Sequence, residues 1–162
     1  MDRRQIGLKL VLEALGLEAK LGTFDDRLIL QKAIYLAQEA GANLGYFFRW
    51  YLYGPYCPAL TKDAFAVEED MAAGFDDAEG WILGSDLQEA LEKVKPPLAA
   101  DPASRRRKLE LLASVHFLLT RKQVTSERAA DICEVLQRYS KDFTQEEVEQ
   151  ALNTLRNHGL LK

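Results

Sequence analysis

Basic charge, cysteine, histidine and long apolar runs are all scarce in this chain of 162 residues, and each scarcity closes off a class of function. Lys and Arg number 21 against 25 Asp and Glu, a formal charge of −4. Such a chain lacks the basic footprint of a sequence-independent nucleic-acid binder. The two cysteines, Cys57 and Cys133, form neither a disulfide framework nor a CxxC metal spacing, so a cytoplasmic, reducing setting is expected. His116 and His158 fall on different expected helices with no cysteine or carboxylate at ligand spacing, which predicts no metal site. No stretch approaches about 18 uncharged apolar residues, and Met1-Asp2-Arg3-Arg4 leads into a segment carrying Lys9 and Glu13 rather than a signal-peptide core, so no membrane partner is expected. Phosphate-loop, dinucleotide, nucleophile-elbow and HExxH motifs are absent. The adjacent pairs Asp25-Asp26 and Asp76-Asp77 point apart more often than they converge. Neither enzymatic activity nor a cofactor is expected.

What is present is a helical pattern in a chain that is 48% hydrophobic. The spacing predicts a helix over residues 3 to 16 capped by Asp2, with Leu8, Val11, Leu12 and Leu15 on one face, and a second from Thr23 to Gly41 with Leu30, Ala33, Ile34 and Ala37 inward. Pro58 suits the first turn of a third, carrying Leu60, Ala64, Val67 and Met71 to Gly74. Ser85 and Gln88 read as a capping box for a short helix, and Pro96 to Ser104 as an internal linker. Three more helices follow, patterned by Leu111, Leu112, Val115 and Leu118, by Ala129, Ile132, Cys133 and Leu136, and by Val148, Ala151, Leu152 and Leu155. The last carries the box Thr144-x-x-Glu147 and stops at Gly159. The expected fold is mainly α: one domain over 1–162, with a front part over 1–95 and a helix-turn-helix-like three-helix unit over 104–162.

Residues 46 to 56, YFFRWYLYGPY, interrupt the pattern with seven of the fifteen aromatic residues. They predict a short extended or β element near 46–53 and a turn at Gly54-Pro55. Alternation sets Tyr46, Phe48, Trp50 and Leu52 on one face and Phe47, Arg49, Tyr51 and Tyr53 on the other, of which one set is core and the other, with Tyr56, partly exposed. Charge is also segregated. From Asp63 to Glu92 there are ten carboxylates and no Lys or Arg, so that stretch carries −10 and the remainder +6. A field of that kind suits a basic partner.

A helix-turn-helix regulator binding duplex DNA is the alternative the C-terminal unit suggests, through residues 104–108, which hold the basic run Arg105-Arg106-Arg107-Lys108, and the helix beginning at Thr144. Its recognition face would present Gln145, Glu146, Glu149, Gln150, Asn153 and Arg156, and the glutamates at its leading end oppose entry into a phosphate-lined groove. The basic run reads equally as a solvated helix start or an intramolecular partner for carboxylates.

The stretch Leu30-Gln31-Lys32-Ala33-Ile34-Tyr35-Leu36-Ala37-Gln38, followed by Tyr51-Leu52-Tyr53-Gly54-Pro55-Tyr56-Cys57-Pro58-Ala59-Leu60 and Asp63, resembles the signature of YwgA-like domains. It is more distantly similar to the Panacea domains of SocA-like antitoxins. Cys57 departs from the small hydroxyl residue common at its position. The resemblance implies a toxin-binding module like the C-terminal half of DarG antitoxins: a non-enzymatic partner, in a 1:1 complex, of a DarT-type ADP-ribosyltransferase that modifies single-stranded DNA. A SocA-like adaptor delivering a toxin to a protease is a further alternative. Carboxylates standing in for phosphates and rings for bases would let such a module occupy the toxin's DNA groove. The candidate partner-binding residues are Arg49, Tyr51, Tyr53, Tyr56, Glu68, Glu69, Asp70, Asp76, Asp77 and Glu79.

Overall fold

Reciprocal side-chain caps begin three of the eight helices in the computed structural model, which describes residues 1–99 and 101–162. Asp2 and Gln5 start α1 (Arg3–Ala14), Thr23 and Asp26 start α2 (Phe24–Ala40), and Thr144 and Glu147 start α8 (Gln145–Asn157). Each box satisfies two backbone N–H groups that the first turn leaves without an intrahelical acceptor. The remaining helices are α3 (Pro58–Ala72), α4 (Ser85–Glu92), α5 (Lys95–Leu98), α6 (Pro102–Thr120) and α7 (Ala129–Arg138). A two-stranded antiparallel hairpin, β1 (Arg49–Tyr51) and β2 (Gly54–Tyr56), completes the mainly α architecture. None of the described helices is long and apolar enough to cross a membrane.

α2 and α6 are the central pair. Leu30 to Ala37 and Leu109 to Leu118 are buried without interruption, the pattern of helices covered on every side. They pack on each other, with the Tyr35 hydroxyl 2.7 Å from His116 Nδ1. His116 Nε2 donates to the Leu160 carbonyl at 3.0 Å, so Nδ1 is the acceptor; burial holds the imidazole below its usual pKa and keeps it neutral. α1, α3 and α4 cover the front, and at the back α8 packs on α6 and α7 packs on α8. One cluster of buried residues runs through both parts, from Leu8 to Leu160. Fully burying each Leu of that cluster is worth about 1.5–3 kcal/mol relative to leaving it in water.

Four sequence expectations are corrected. Gly54-Pro55 is not the turn: Trp50 pairs with Pro55 and Tyr51 with Gly54, so the reversal falls at Leu52-Tyr53 and Gly54 begins β2. Gly54 is needed there because its φ is +97° and an added Cβ would lie 2.5 Å from Ser114 Oγ on α6. Ser85 does not cap α4. Gly84 takes the cap position, and the Gln88 side chain donates instead to the Leu83 carbonyl at 2.9 Å. Met71 leaves the core stripe of α3 and is exposed. The supposed linker is largely structure: α5 buries Pro97 and Leu98, and α6 starts at Pro102, while Ala100 lies outside the described residues.

The hairpin is attached to α2 through side-chain amides. Gln38 Oε1 accepts from the Tyr46 N–H at 2.9 Å while its Nε2 donates to the Tyr46 carbonyl at 2.9 Å. Seven residues earlier, Gln31 does the same to Cys57, at 2.9 and 2.8 Å, and its Nε2 also donates to Thr61 Oγ1. Between them Lys32 Nζ donates to the Pro55 carbonyl at 2.8 Å, and from the α7–α8 connection Lys141 Nζ donates to the Leu52 carbonyl at 2.9 Å. A two-stranded ribbon is marginal alone, and these contacts take the place of a third strand.

Candidate functional site

The hairpin resolves which aromatic face is outward. Tyr46 and Phe48 are buried and Trp50 is half-buried, whereas Phe47, Arg49, Tyr51 and Tyr53 are exposed and Tyr56 is half-buried. Leu52, which alternation groups with Tyr46, Phe48 and Trp50, is exposed because it sits in the turn.

The surroundings of these rings are cationic, which the linear sequence hides. The Arg106 guanidinium lies 5.5 Å from the Phe24 ring centre and 5.8 Å from that of Tyr53, and Lys141 Nζ lies 5.6 Å from Tyr53. Arg27, Lys32, Tyr51, Tyr53 and Tyr56 line one cleft of about 260 Å³. Sequence neighbours of the acidic block are thus spatial neighbours of lysines and arginines. Tyr56 ends β2 two residues before α3 begins, and Glu69 lies about three turns further along α3, at about 1.5 Å of rise per residue, so the rings and the carboxylates from Glu69 onward do not form one patch.

The ten carboxylates divide by what holds them. Asp63 is 6% exposed and accepts from Arg4 Nε and the Tyr46 hydroxyl, both at 2.8 Å, and from Gln5 Nε2 at 3.2 Å. It is an internal tie between α1, α3 and the segment before β1. Asp76 accepts from Lys9 Nζ at 2.7 Å, an interaction that holds its carboxyl below the usual carboxylate range, and caps the Ala78 N–H. Asp70 and Asp77 pair with the amine of Met1 at 3.3 and 2.6 Å, and Glu92 pairs with Lys95. Of the predicted site residues, Asp70, Asp76 and Asp77 therefore have partners within the chain. Glu68, Glu69, Glu79, Asp86 and Glu89 have no cation within 4 Å among the described residues, and Glu68 Oε2 is shielded from solvent with no donor.

Three side chains that sequence reasoning passed over stand among these carboxylates. Phe75, Trp81 and Ile82, in the loop joining α3 to α4, are 64%, 56% and 85% exposed. The loop itself is anchored by the Lys9 contact to Asp76, by burial of Ala78, and by a Phe75 N–H to Asp70 carbonyl bond of 2.8 Å beyond Gly74. Its apolar side chains are displayed from a fixed backbone. The available signal was three large apolar residues inside a segment rich in Gly and Asp, where turn residues alone are expected.

Two members of the basic run on α6, Arg106 and Arg107, are used internally. Arg107 Nε and one terminal nitrogen hold the Glu147 carboxylate at 2.8 and 2.9 Å, and that nitrogen also donates to the Asp142 carbonyl at 2.6 Å. This fork holds the Glu147 carboxyl down to about 2. Arg106 lies 3.2 Å from Asp25. Among the described residues no group of three or more His, Cys, Asp and Glu is placed to hold a metal ion. No family model, curated protein or solved structure matches the chain.

Proposed function

We propose that this chain is a binding module whose acidic face, studded with apolar side chains, docks into a basic groove of a partner protein. The partner we infer is a DarT-type ADP-ribosyltransferase acting on single-stranded DNA, which the chain would inhibit as an antitoxin domain in a 1:1 complex. One observation carries the reading: among the described residues Glu69, Glu79, Asp86 and Glu89 have no cation within 4 Å, and they share the α3–α4 region of the sequence with the exposed Phe75, Trp81 and Ile82. A groove built for an anionic strand offers cations to such carboxylates and stacking surface to such rings. Trp is also the side chain that most often dominates interface energy once its surroundings are dry. The YwgA-like signature supplies the toxin class. The signature residues Gln31, Lys32 and Gly54 support the reading only as scaffold, since they attach the hairpin to α2.

Arg107 counts against the duplex-DNA regulator. Its charge is committed to Glu147 at the start of α8, leaving glutamates at the end of the helix that would lead into the groove.

The test is co-expression with a DarT-type toxin, size-exclusion chromatography and a single-stranded DNA ADP-ribosylation assay. The expected result is a co-eluting complex with lost modification activity. Reversal of Glu69, Glu79 and Asp86 to Lys, or of Trp81 to Ala, is expected to weaken it by well over about tenfold. Asp76 is left intact because it anchors the loop. A complex indifferent to these changes sinks the acidic-face reading; absence of a complex sinks the toxin assignment.

A further inference from the structure

The cleft beside the hairpin is separate from the acidic face and has its own chemistry. Its walls come from three elements: Phe24, Arg27, Leu28, Gln31 and Lys32 on α2, Tyr51 to Tyr53 and Tyr56 on the hairpin, and Thr61 on α3. Two ring pairs flank it. Phe24 meets Tyr53 edge to face with centres 4.9 Å apart, and Tyr51 lies 5.6 Å from Tyr56 with planes 31° apart. At about 260 Å³ it lies just below the range of about 300–1,000 Å³ typical of pockets for drug-sized ligands, so its ligand is small.

Lys32 is the unusual member. The residue is 2% exposed, and among the described residues its ammonium has one hydrogen-bond acceptor, the Pro55 carbonyl. An ammonium has three N–H groups, and leaving two unmet in a dry setting is costly. The charged groups around it do not supply the deficit. Glu110 on α6, the one nearby carboxylate among the described residues, gives an oxygen to Lys141 at 3.5 Å, Lys141 adds positive charge, and Arg27 on the cleft wall is turned to the Leu21 carbonyl. The other polar group of the floor, Gln31, has its amide fully used. An acceptor is missing where an apolar, ring-lined cleft meets a buried cation.

We propose that this cleft binds a small planar aromatic anion, the ring between the tyrosine and phenylalanine side chains and the carboxylate on Lys32. The binding is independent of the toxin reading and requires no reaction. Burial, and secondarily the charge of Lys141, brings the Lys32 pKa down to about 7, so the amine is poised to take up a proton when an anion arrives.

The experiment is a titration of the full, isotope-labelled chain followed by amide chemical shifts, with three probes: benzoate, benzamide, which keeps the ring without the charge, and acetate, which keeps the charge without the ring. Benzoate is expected to saturate with a dissociation constant on the order of 1 mM, fitting so small a ligand, and to shift the amides of Tyr51, Leu52, Tyr53 and Thr61. Benzamide and acetate are expected to bind at least about tenfold more weakly, given the charge-assisted bond and the ring contacts each lacks. K32M, which retains the apolar stem, is expected to bind benzoate no better than benzamide. Equal affinity for benzoate and benzamide in the wild-type chain overturns the proposal without any variant. So do shifts confined to residues outside the cleft, absence of saturation, and unchanged benzoate affinity in a folded K32M chain.

Discussion

Replacing Lys32 by Met tests the strain of a buried cation through its pH dependence. In the unfolded chain the amine titrates near about 10.4, whereas in the folded chain it titrates at about 7. Between these values the unfolded state binds the extra proton. Stability therefore rises with pH across that window, by up to about 1.4 kcal/mol per unit, and is at its lowest plateau below 7, where the folded chain must carry the charge. From pH 7 to pH 9 the gain attributable to Lys32 is about 2 kcal/mol, because the amine is already half neutral at the start. K32M loses the bond to the Pro55 carbonyl, a pH-independent loss of about 1 kcal/mol. It also loses the pH-dependent penalty. Urea unfolding of both chains at pH 6, 7, 8 and 9 should show the wild type gaining about 2 kcal/mol on the variant between pH 7 and 9 and nothing further below 6. Other titrating groups, Lys141 among them, are common to both chains and largely cancel in the difference. A difference that stays constant within about 0.5 kcal/mol over that range would refute the account of a strained buried amine.

Asp63→Asn removes the charge from a nearly buried site shared by Arg4, Gln5 and Tyr46, and is expected to cost about 2–3 kcal/mol, read as a lower urea midpoint with unchanged slope. Gly54→Ala places a Cβ against Ser114 Oγ at a φ of +97°, for an expected loss of about 2–3 kcal/mol; adding Ser114→Ala should restore the steric part and leave the backbone strain. Ser114→Ala alone should be neutral or slightly stabilising in thermal unfolding, because Oγ is buried without a hydrogen-bond partner among the described residues. Glu147→Gln should reduce stability at neutral pH by only about 1 kcal/mol, since the pair with Arg107 is partly exposed and screened. That contribution is present above about 4.5 and is lost as the pH falls toward about 2, so wild type and variant should converge in acid.

Local signals made much of the fold legible. The caps at Asp2, Thr23 and Thr144 and the stops at Gly16, Gly41 and Gly159 are decided by residues within one turn, and those helices lie where the pattern puts them. Alternation separated the two faces of the aromatic strip, and the structure decides between them by turning Tyr46, Phe48 and Trp50 inward. What failed were features set by distant chain. Nothing near Gly54 announces that Ser114 will press on it, or that the turn will fall two residues earlier. One local reading failed as well: Gly84, not Ser85, takes the cap position of α4. The partial neutralisation of the −10 block is not legible in the sequence because Arg4 and Lys9, which pair with Asp63 and Asp76, arrive from α1 at the other end of the front part. For the same reason the hairpin rings were assigned to acidic neighbours, while Arg106 and Lys141, the cations beside them, lie more than fifty residues further along the chain.

The paired amides of Gln38 and Gln31 fix the chain at Tyr46 and at Cys57, the two ends of the aromatic segment. Any change in segment length must then be taken up between those clamps, and Lys32 further narrows the choice by holding Pro55. The stretch left with the fewest ties is the exposed reversal at Leu52-Tyr53, held at the Leu52 carbonyl by Lys141, and it is also the rim of the cleft. A loop inserted there would reshape the mouth of the cleft while leaving α2, its glutamines and the core beneath untouched. The hairpin thus separates what specifies the scaffold from what can be varied to choose a ligand, and the tip is where engineering for altered recognition would begin.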